Sequence, residues 1–413
     1  MKRAPAILLV GLMACTGGRI EGGRTIDTVT SPVTGPSTAP SPSVVGPSIG
    51  PSPTAAPERG HGAVDETKDV SFVDPAHGWA LVWRTDRASH ASRLRGVYKT
   101  SDGGHTWHVV GRPTASPVVT HLQLSTRNDG FAFGPDLFVT HDGGNEWRRI
   151  DVDRTVLDLQ AVGASVWMLV GRCFEGATGP GGCHHARLER STDAGRTWSS
   201  PERVLPVGED EELNADPDEQ QLSLVRAGSR AGWIVSASGG DPDLPSPLLG
   251  TSDGGSVWSP LRNPCSRKVP AAGGFTGPLT FEEHISAIDP RRLWMVCTDE
   301  PALGQADRVL YRSADGGRHW RRAASRCCSG NELHIAAISW RKGWETDGTA
   351  AYALARIIVG RGIGNYVIAD KAPWVSLKFL TRRFGWAAMS TNVLYRTTDA
   401  GRHWRMHPIQ PAP

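Results

Sequence analysis

The apolar residues of this chain fall in many short runs separated by polar, glycine-bearing turns, a pattern that predicts a succession of short β-strands. The first cycle defines the unit. Strand A is expected over residues 68–73 and strand B over 78–83; a long loop follows, then strand C over 97–100, a polar turn and strand D over 106–110. Apolar pairs lead into that polar turn at Val97-Tyr98, Leu310-Tyr311 and Leu394-Tyr395. The local unit is strand, pinned turn, strand.

The polar turn recurs. It first reads Thr100-Ser101-Asp102-Gly103-Gly104-His105-Thr106-Trp107, and its frame, Ser/Thr-x-Asp-x-Gly-x-x-Trp, returns at 140–147, 191–198, 251–258, 313–320 and 397–404. Six copies mark a repeat architecture. Each Asp (Asp102, Asp142, Asp193, Asp253, Asp315, Asp399) is suited to accept hydrogen bonds from amides just ahead of it and pin the turn. The glycines two places on (Gly104, Gly144, Gly195, Gly255, Gly317, Gly401) allow the positive φ that such a turn needs. Trp107, Trp147, Trp198, Trp258, Trp320 and Trp404 then open the next strand as large packing anchors.

This frame resembles the Asp-box, or bacterial neuraminidase, repeat, and the resemblance runs from about residue 67 to the end of the chain. It implies a β-propeller in which the boxes sit at the blade periphery, away from the ligand face. The six carboxylates are therefore expected to brace hairpins and not to catalyse. A second motif sets the blade count. A short apolar strand, a polar turn and then Gly-Trp or a close variant occur at Gly78-Trp79, Gly130-Phe131, Val166-Trp167, Gly232-Trp233, Leu293-Trp294, Gly343-Trp344 and Gly385-Trp386. That is one more than the boxes, so the sixth blade, about 333–372, has kept its Gly-Trp and lost its box. Residues 61–413 divided by seven give about 50 per blade, the length of a four-stranded blade with long loops. The expected fold is all-β: a seven-bladed propeller of four-stranded antiparallel blades. Twelve of the 15 tryptophans lie in one motif or the other, which leaves few aromatic platforms for stacking on sugars.

Composition changes this picture mainly at the start of the chain. Lys2 and Arg3, a short apolar stretch over 6–13 and Leu12-Met13-Ala14-Cys15 read as a targeting segment with a bacterial lipobox. The apolar stretch is too short to span a bilayer. Residues 1–15 are thus expected to be a lipoprotein signal peptide, with Cys15 lipidated. Residues 16–60 hold no aromatic side chain, and 31–57 hold eight prolines, so a disordered tether is expected before the propeller at 61–413. The predicted location is outside the cell, lipid-anchored at the outer face of the bacterial cytoplasmic membrane or at the cell surface. A formal charge of +3 over 413 residues gives no global reason to expect a nucleic-acid partner.

Strand alternation puts the B–C and D–A loops on one face, with the A–B turns and box turns on the other. The long insertions, 84–96, 171–187, 201–221, 238–247, 262–279 and 298–308, fall on the first face, which makes it a candidate binding surface. One of them is an acidic run over 209–219 that lacks the spacing of a calcium loop. The opposite face carries paired cations at successive A–B turns: Arg291-Arg292, Arg341-Lys342 and Arg382-Arg383. Such a patch suits anionic lipid, an envelope polymer or an acidic protein.

Six cysteines remain after Cys15, and in an exported protein they read as disulfides. Cys173 and Cys183 flank one loop. Cys265–Cys297 is the favoured second pair, which would leave Cys327 and Cys328 as neighbours. Cys183-His184-His185 is a short metal-type fragment without matched partners, so neither metal nor cofactor is expected. The resemblance also raises exo-sialidase activity, which would need an arginine triad, a Tyr–Glu nucleophile and an Asp acid/base. The first strand lacks the expected arginine, and only Tyr352 and Tyr366 lie outside the strands leading into boxes. No catalytic residue is assigned. A non-catalytic, lipid-anchored scaffold or assembly platform, binding an unknown protein or envelope polymer, accounts for the chain better. The photosystem II assembly-factor propellers, which space the same two motifs closely, are similar to it.

Overall fold

The computed structural model describes residues 62–411 apart from 114–118, 174–182, 200–221, 237–245, 267–278, 280–281, 300–305, 330–333, 348–352, 359–361 and 368–371. Cys15, the tether and the acidic run over 209–219 lie outside the described residues.

The described chain is all strand and turn. Blade 1 holds β1 (Val64–Phe72), β2 (Gly78–Thr85), β3 (Ser92–Thr100) and β4 (His108–Val109). Blade 2 holds β5 (His121–Leu124), β6 (Gly130–Phe133), β7 (Leu137–Thr140) and β8 (Arg148–Ile150). Blade 3 holds β9 (Thr155–Val162), β10 (Ser165–Cys173) and β11 (Cys183–Ser191). Blade 4 holds β12 (Leu222–Ala227), β13 (Ala231–Ser236), β14 (Leu248–Thr251) and β15 (Ser259–Leu261). Blade 5 holds β16 (Glu282–Ala287), β17 (Leu293–Thr298), β18 (Ala306–Ser313) and β19 (Arg321–Ser329). Blade 6 holds β20 (Ile335–Ser339), β21 (Lys342–Asp347), β22 (Ala353–Ile358) and β23 (Gly362–Val367). Blade 7 holds β24 (Trp374–Phe379), β25 (Gly385–Met389), β26 (Val393–Thr397) and β27 (Arg405–Pro408).

Within each sheet the strands pair antiparallel in sequence order. The innermost strands meet in the cycle β1, β5, β9, β12, β16, β20, β24 and back to β1. This is a closed seven-bladed propeller. Burial follows from the layering. Second strands are covered by blades on both faces and read as continuous apolar runs; β2, β13 and β17 have no exposed residue. The outermost strands β8 and β15 are three residues long and mostly exposed.

There are two local differences from the sequence reading. The outer strand of blade 1 shrinks to His108–Val109 because Trp107 is fully buried and its backbone bridges Pro411 instead. In blade 3 the fourth strand is represented, among the described residues, by the bridge Arg190–Ser199, and residues 200–221 that follow lie outside them.

All four strands of blade 7 follow blade 6 in sequence, so the ring closes without exchanging a strand. Side chains and loop backbone do the work. Trp386 Nε1 donates to Val70 O at 3.1 Å, Arg396 Nη2 to Pro75 O at 2.9 Å and Asn392 Nδ2 to Asp65 O at 2.6 Å. Phe72 packs on Trp386 and Phe384 with ring centroids 5.1 and 5.6 Å apart.

Candidate functional site

The carboxylates of the box turns are the most conspicuous chemistry in the chain. In blade 1, Asp102 Oδ1 accepts from His105 N at 2.9 Å, Thr106 N at 3.0 Å and the Thr100 hydroxyl at 2.8 Å. Its Oδ2 accepts from the Thr106 hydroxyl at 2.6 Å. The Thr100 hydroxyl oxygen in turn accepts from Gly104 N at 2.8 Å. The same Ser/Thr-to-Asp bond recurs at Asp142, Asp193, Asp253, Asp315 and Asp399. Burial pushes the Asp102 carboxyl up, but the donated hydrogen bonds outweigh it and hold the group below the usual carboxylate range. At Asp193 the Thr197 hydroxyl is the leading cause of the same lowering; at Asp142 it is the Glu146 amide. A carboxylate saturated by its own turn is a weak base and no nucleophile.

Each box also fastens other parts of the ring. The amide after the box Asp donates to the A–B turn of the same blade, as in Gly103 N to Ala76 O, Gly254 N to Arg230 O and Gly316 N to Arg291 O. The box Trp packs on the Gly-Trp ring of the preceding blade: Trp147 on Trp79, Trp198 on Phe131, Trp258 on Trp167 and Trp404 on Trp344. Trp320 packs in one cluster with Trp233. The glycines are required by this contact. Gly401 has φ +79°, and a Cβ there would lie 2.3 Å from the Trp344 ring.

The centre of the ring holds a set of residues that sequence reasoning missed. Three places before the residue that pairs with the first position of each Gly-Trp-type pair (Gly78, Gly130, Val166, Gly232, Leu293, Gly343, Gly385) stand Asp69, His121, Asp158, Ser223, His284, His334 and Ser376. All seven are polar. Asp69 Oδ2 accepts from Leu122 N of the next blade at 2.9 Å, and Asp158 Oδ2 from Leu224 N at 2.7 Å. The innermost strand of each blade is an edge strand, and these side chains satisfy amides that no strand reaches. Lys378 lies 3.7 Å from Asp69, and its charge is felt at Asp158, His121 and His334, so the set converges on the axis. Burial raises Asp158 to about 6 and lowers His121 and His334. Burial, with His334 and Arg308 nearby, lowers His284 to about 3. The inner strands thus gather neutral imidazoles around an Asp–Lys pair. The signal that would have found them is polarity at one fixed ladder position in every blade.

The turn face is different. Arg291, Arg341, Lys342, Arg382 and Arg383 are all exposed, and Arg318 and Arg402 in the neighbouring boxes are exposed too. Arg292 is held by Asp289, its Nε 2.6 Å from Oδ2. The turn backbones are fixed, since Arg291 O and Arg383 O each accept from the box amide of their blade and Ser339 Oγ caps the blade 6 turn. Beside this strip a cleft of ≈ 790 Å³ opens between blades 4 and 5, with Arg262, Arg291 and Arg318 in its lining.

The opposite face carries a buried acid. Glu283 Oε2 accepts from Asn263 Nδ2 at 2.6 Å, and burial raises the Glu283 carboxyl to about 8. Glu283 pairs across the ladder with Cys297, which is bonded to Cys265. Most of the long loops of that face lie outside the described residues. Cys173 and Cys183 stand opposite one another where β10 and β11 end. Their side chains, with those of His184, His185, Cys327, Cys328 and Tyr366, lie outside the described residues, as does Tyr352. Tyr98, Tyr311 and Tyr395 are buried in the core. Among the described residues no group of three or more His, Cys, Asp or Glu is arranged to hold a metal ion.

No protein-family model matches the chain, and no curated protein matches it. Solved structures do. The chain is similar to YCF48 bound to D1 peptide, with 17% identity, a TM-score of 0.53 and coverage of 83% of this chain and 98% of that one. It is also similar to YCF48 from Cyanidioschyzon merolae, at 16% identity and TM-score 0.53 over 82% and 96% of the two chains. A third is the GH74 xyloglucanase from Xanthomonas campestris, at 12% identity and TM-score 0.54, where 85% of this chain covers 55% of that one. This chain therefore spans about half the length of the xyloglucanase. At such identities the likeness is one of fold, and all three neighbours are β-propellers.

Proposed function

We propose that this chain is a non-catalytic lipoprotein, anchored through Cys15 and held off the membrane by residues 16–60, whose Asp-box propeller binds a protein partner as an assembly platform. The observation that carries this reading is the strip of exposed Arg and Lys side chains on rigid neighbouring turns of blades 5, 6 and 7. Rigid turns present a fixed pattern of charge, which favours recognition of a partner over chemistry. Saturation of every box carboxylate by its own turn removes the most obvious acid/base candidates. That YCF48 holds a D1 peptide fits a propeller of this size acting on polypeptide.

The test is crosslinking in intact cells, comparing the wild type with the Arg291→Ala, Arg292→Ala, Arg382→Ala, Arg383→Ala variant. The wild type should capture a defined partner that the variant loses, in a salt-sensitive manner. Capture unchanged in the variant rules out this face, and turnover of a fluorogenic sialoside by the folded protein rules out the non-catalytic reading. Lipidation is tested separately: Cys15→Ala should abolish incorporation of labelled palmitate and release the protein from membranes.

A further inference from the structure

Four blades carry a cation on the strand position just before the box and use it to reach the next blade. Lys99 Nζ donates to Gly143 O at 3.3 Å, and Arg190 Nη1 to Gly254 O at 2.8 Å. Arg312 Nη1 donates to Trp340 O at 2.7 Å and Arg396 Nη2 to Pro75 O at 2.9 Å. Blade 2 has a buried Val139 there, and Arg196 of blade 3 reaches back to Asp129 at 3.2 Å. Blade 4 has Gly250. No side chain bridges from that position, and the cleft between blades 4 and 5 opens beside it. The box carbonyl that a latch would use, Gly316 O, is taken by Trp233 Nε1 at 3.0 Å.

The cleft has an apolar floor and a cationic rim. Trp233, Pro260, Leu261 and the half-exposed Val257 line it, with Arg262, Arg291 and Arg318 at its edge, all three exposed. The two carboxylates nearby are committed: Asp253 Oδ1 accepts from Ser256 N and Val257 N at 3.0 Å, and Asp315 Oδ1 from His319 N at 3.0 Å. Three guanidinium groups against two carboxylates leave the lining net positive, and over apolar surface they complement an anionic ligand that also carries apolar side chains. A purely anionic polymer would leave the floor unused.

We propose that the cleft between blades 4 and 5 is the docking site for an acidic peptide segment of the partner protein, which seats an apolar side chain where blades 1, 3, 5 and 7 place their own latch. The proposal rests on the binding-platform reading and gives that platform a contact point. The cleft adjoins the basic strip through Arg291, so one extended segment can run from the cleft along the turns of blades 5 and 6.

The test uses the full chain and a short fluorescein-labelled peptide alternating Glu with Leu, followed by anisotropy, with polyglutamate and polyphosphate as comparisons. The alternating peptide should bind best and shift the Trp233 indole resonance. Gly250→Arg fills the cleft from a position with ordinary φ, where the nearest atoms to its Cβ are the movable Leu261 Cδ1 at 2.6 Å and Cγ at 3.3 Å and the edge of Trp233 at 3.5 Å. It should weaken peptide binding about tenfold or more. Arg291→Glu with Arg318→Glu keeps the cleft open and should weaken binding comparably. Binding unaffected by both variants overturns the proposal. So does polyglutamate or polyphosphate binding as tightly as the peptide, or a wild type that binds no peptide. If Gly250→Arg still captures the cellular partner as well as the wild type, the platform stands and the cleft is not its contact.

Discussion

The junction between blades 6 and 7 and the junction between blades 5 and 6 are built from the same tryptophan in two settings. Trp344 lies under the box of blade 7: its ring is 5.3 Å from that of Trp404, and its Nε1 donates to Ala400 O at 3.3 Å. It is one of ten buried residues that form one cluster. Trp294 holds the equivalent place in blade 5 and is just as buried, but blade 6 has no box to receive it. Among the described residues its cluster has four buried members, Trp294, Val296, Leu310 and Ile357. Polar groups fill the remainder: Arg308 is 3% exposed and donates through Nη1 to Thr346 O of blade 6 at 3.0 Å. The box therefore acts between blades. Its carboxylate shapes a turn, the turn presents a glycine and a carbonyl, and these receive a ring from the neighbouring sheet.

The largest effect should come from spoiling that reception. Ala at 401 must adopt φ near +79° and place its Cβ 2.3 Å from Trp344. Backbone strain and overpacking together should cost about 2–5 kcal/mol. Trp344→Ala alone should cost about 3–5 kcal/mol. In the double variant the overlap is gone, so the two losses should fall short of additivity by about 1–3 kcal/mol in urea denaturation. Additive losses would mean that box and ring are not coupled, and the comparison would break there.

A smaller effect tests whether the carboxylate only shapes the turn. Asp399→Ala leaves His403 N and the Thr397 hydroxyl without their shared acceptor, and should cost about 2 kcal/mol. Asp151→Ala, at an exposed position outside any box, should cost well under about 0.5 kcal/mol. The pH dependence has a definite sign. All six box carboxyls are held below the unfolded value of 3.8, so their contribution is complete above that pH and is lost as pH falls. Asp399→Ala should have a flatter stability curve below about pH 4 than the wild type. Equal slopes would show that this box contributes no titrating stability.

The ring of seven was legible because two motifs recur at a steady spacing, and each has a local physical reason that survives without knowledge of the neighbours. The basic turns were legible for the same reason, as paired cations at one place in the unit. What was not legible depends on register between blades. Asp69 and Asp158 look like surface acids in a strand until the ladder places them against the amides of Leu122 and Leu224. Gly250 looks like an ordinary strand glycine until Lys99, Arg190, Arg312 and Arg396 show what its position does elsewhere. A repeat is easy to see as a repeat; an exception within it gains meaning only when the copies are superimposed in space.

The subtlest difference between the two junctions is their response to mild acid. His284 belongs to the inner strand of blade 5, within range of Arg308 and of His334 from blade 6. Burial is the leading cause that lowers its pKa from 6.5 to about 3, and repulsion from Arg308 and from any proton on His334 adds to it. A folded value below the unfolded one means that the proton binds the unfolded chain first. Stability that is intact above about pH 6.5 is thus lost progressively as pH falls toward 3, beginning before the box carboxylates start to titrate. At pH 5 the loss from this residue should be on the order of 1 kcal/mol once partial solvent access is allowed for. His284→Gln removes the titration while keeping a polar group of similar size. It should narrow the gap between urea midpoints measured at pH 7 and pH 5. Acid should therefore loosen the junction between blades 5 and 6 before the box carboxylates begin to titrate. An unchanged gap in His284→Gln would place the first acid-sensitive step elsewhere in the ring.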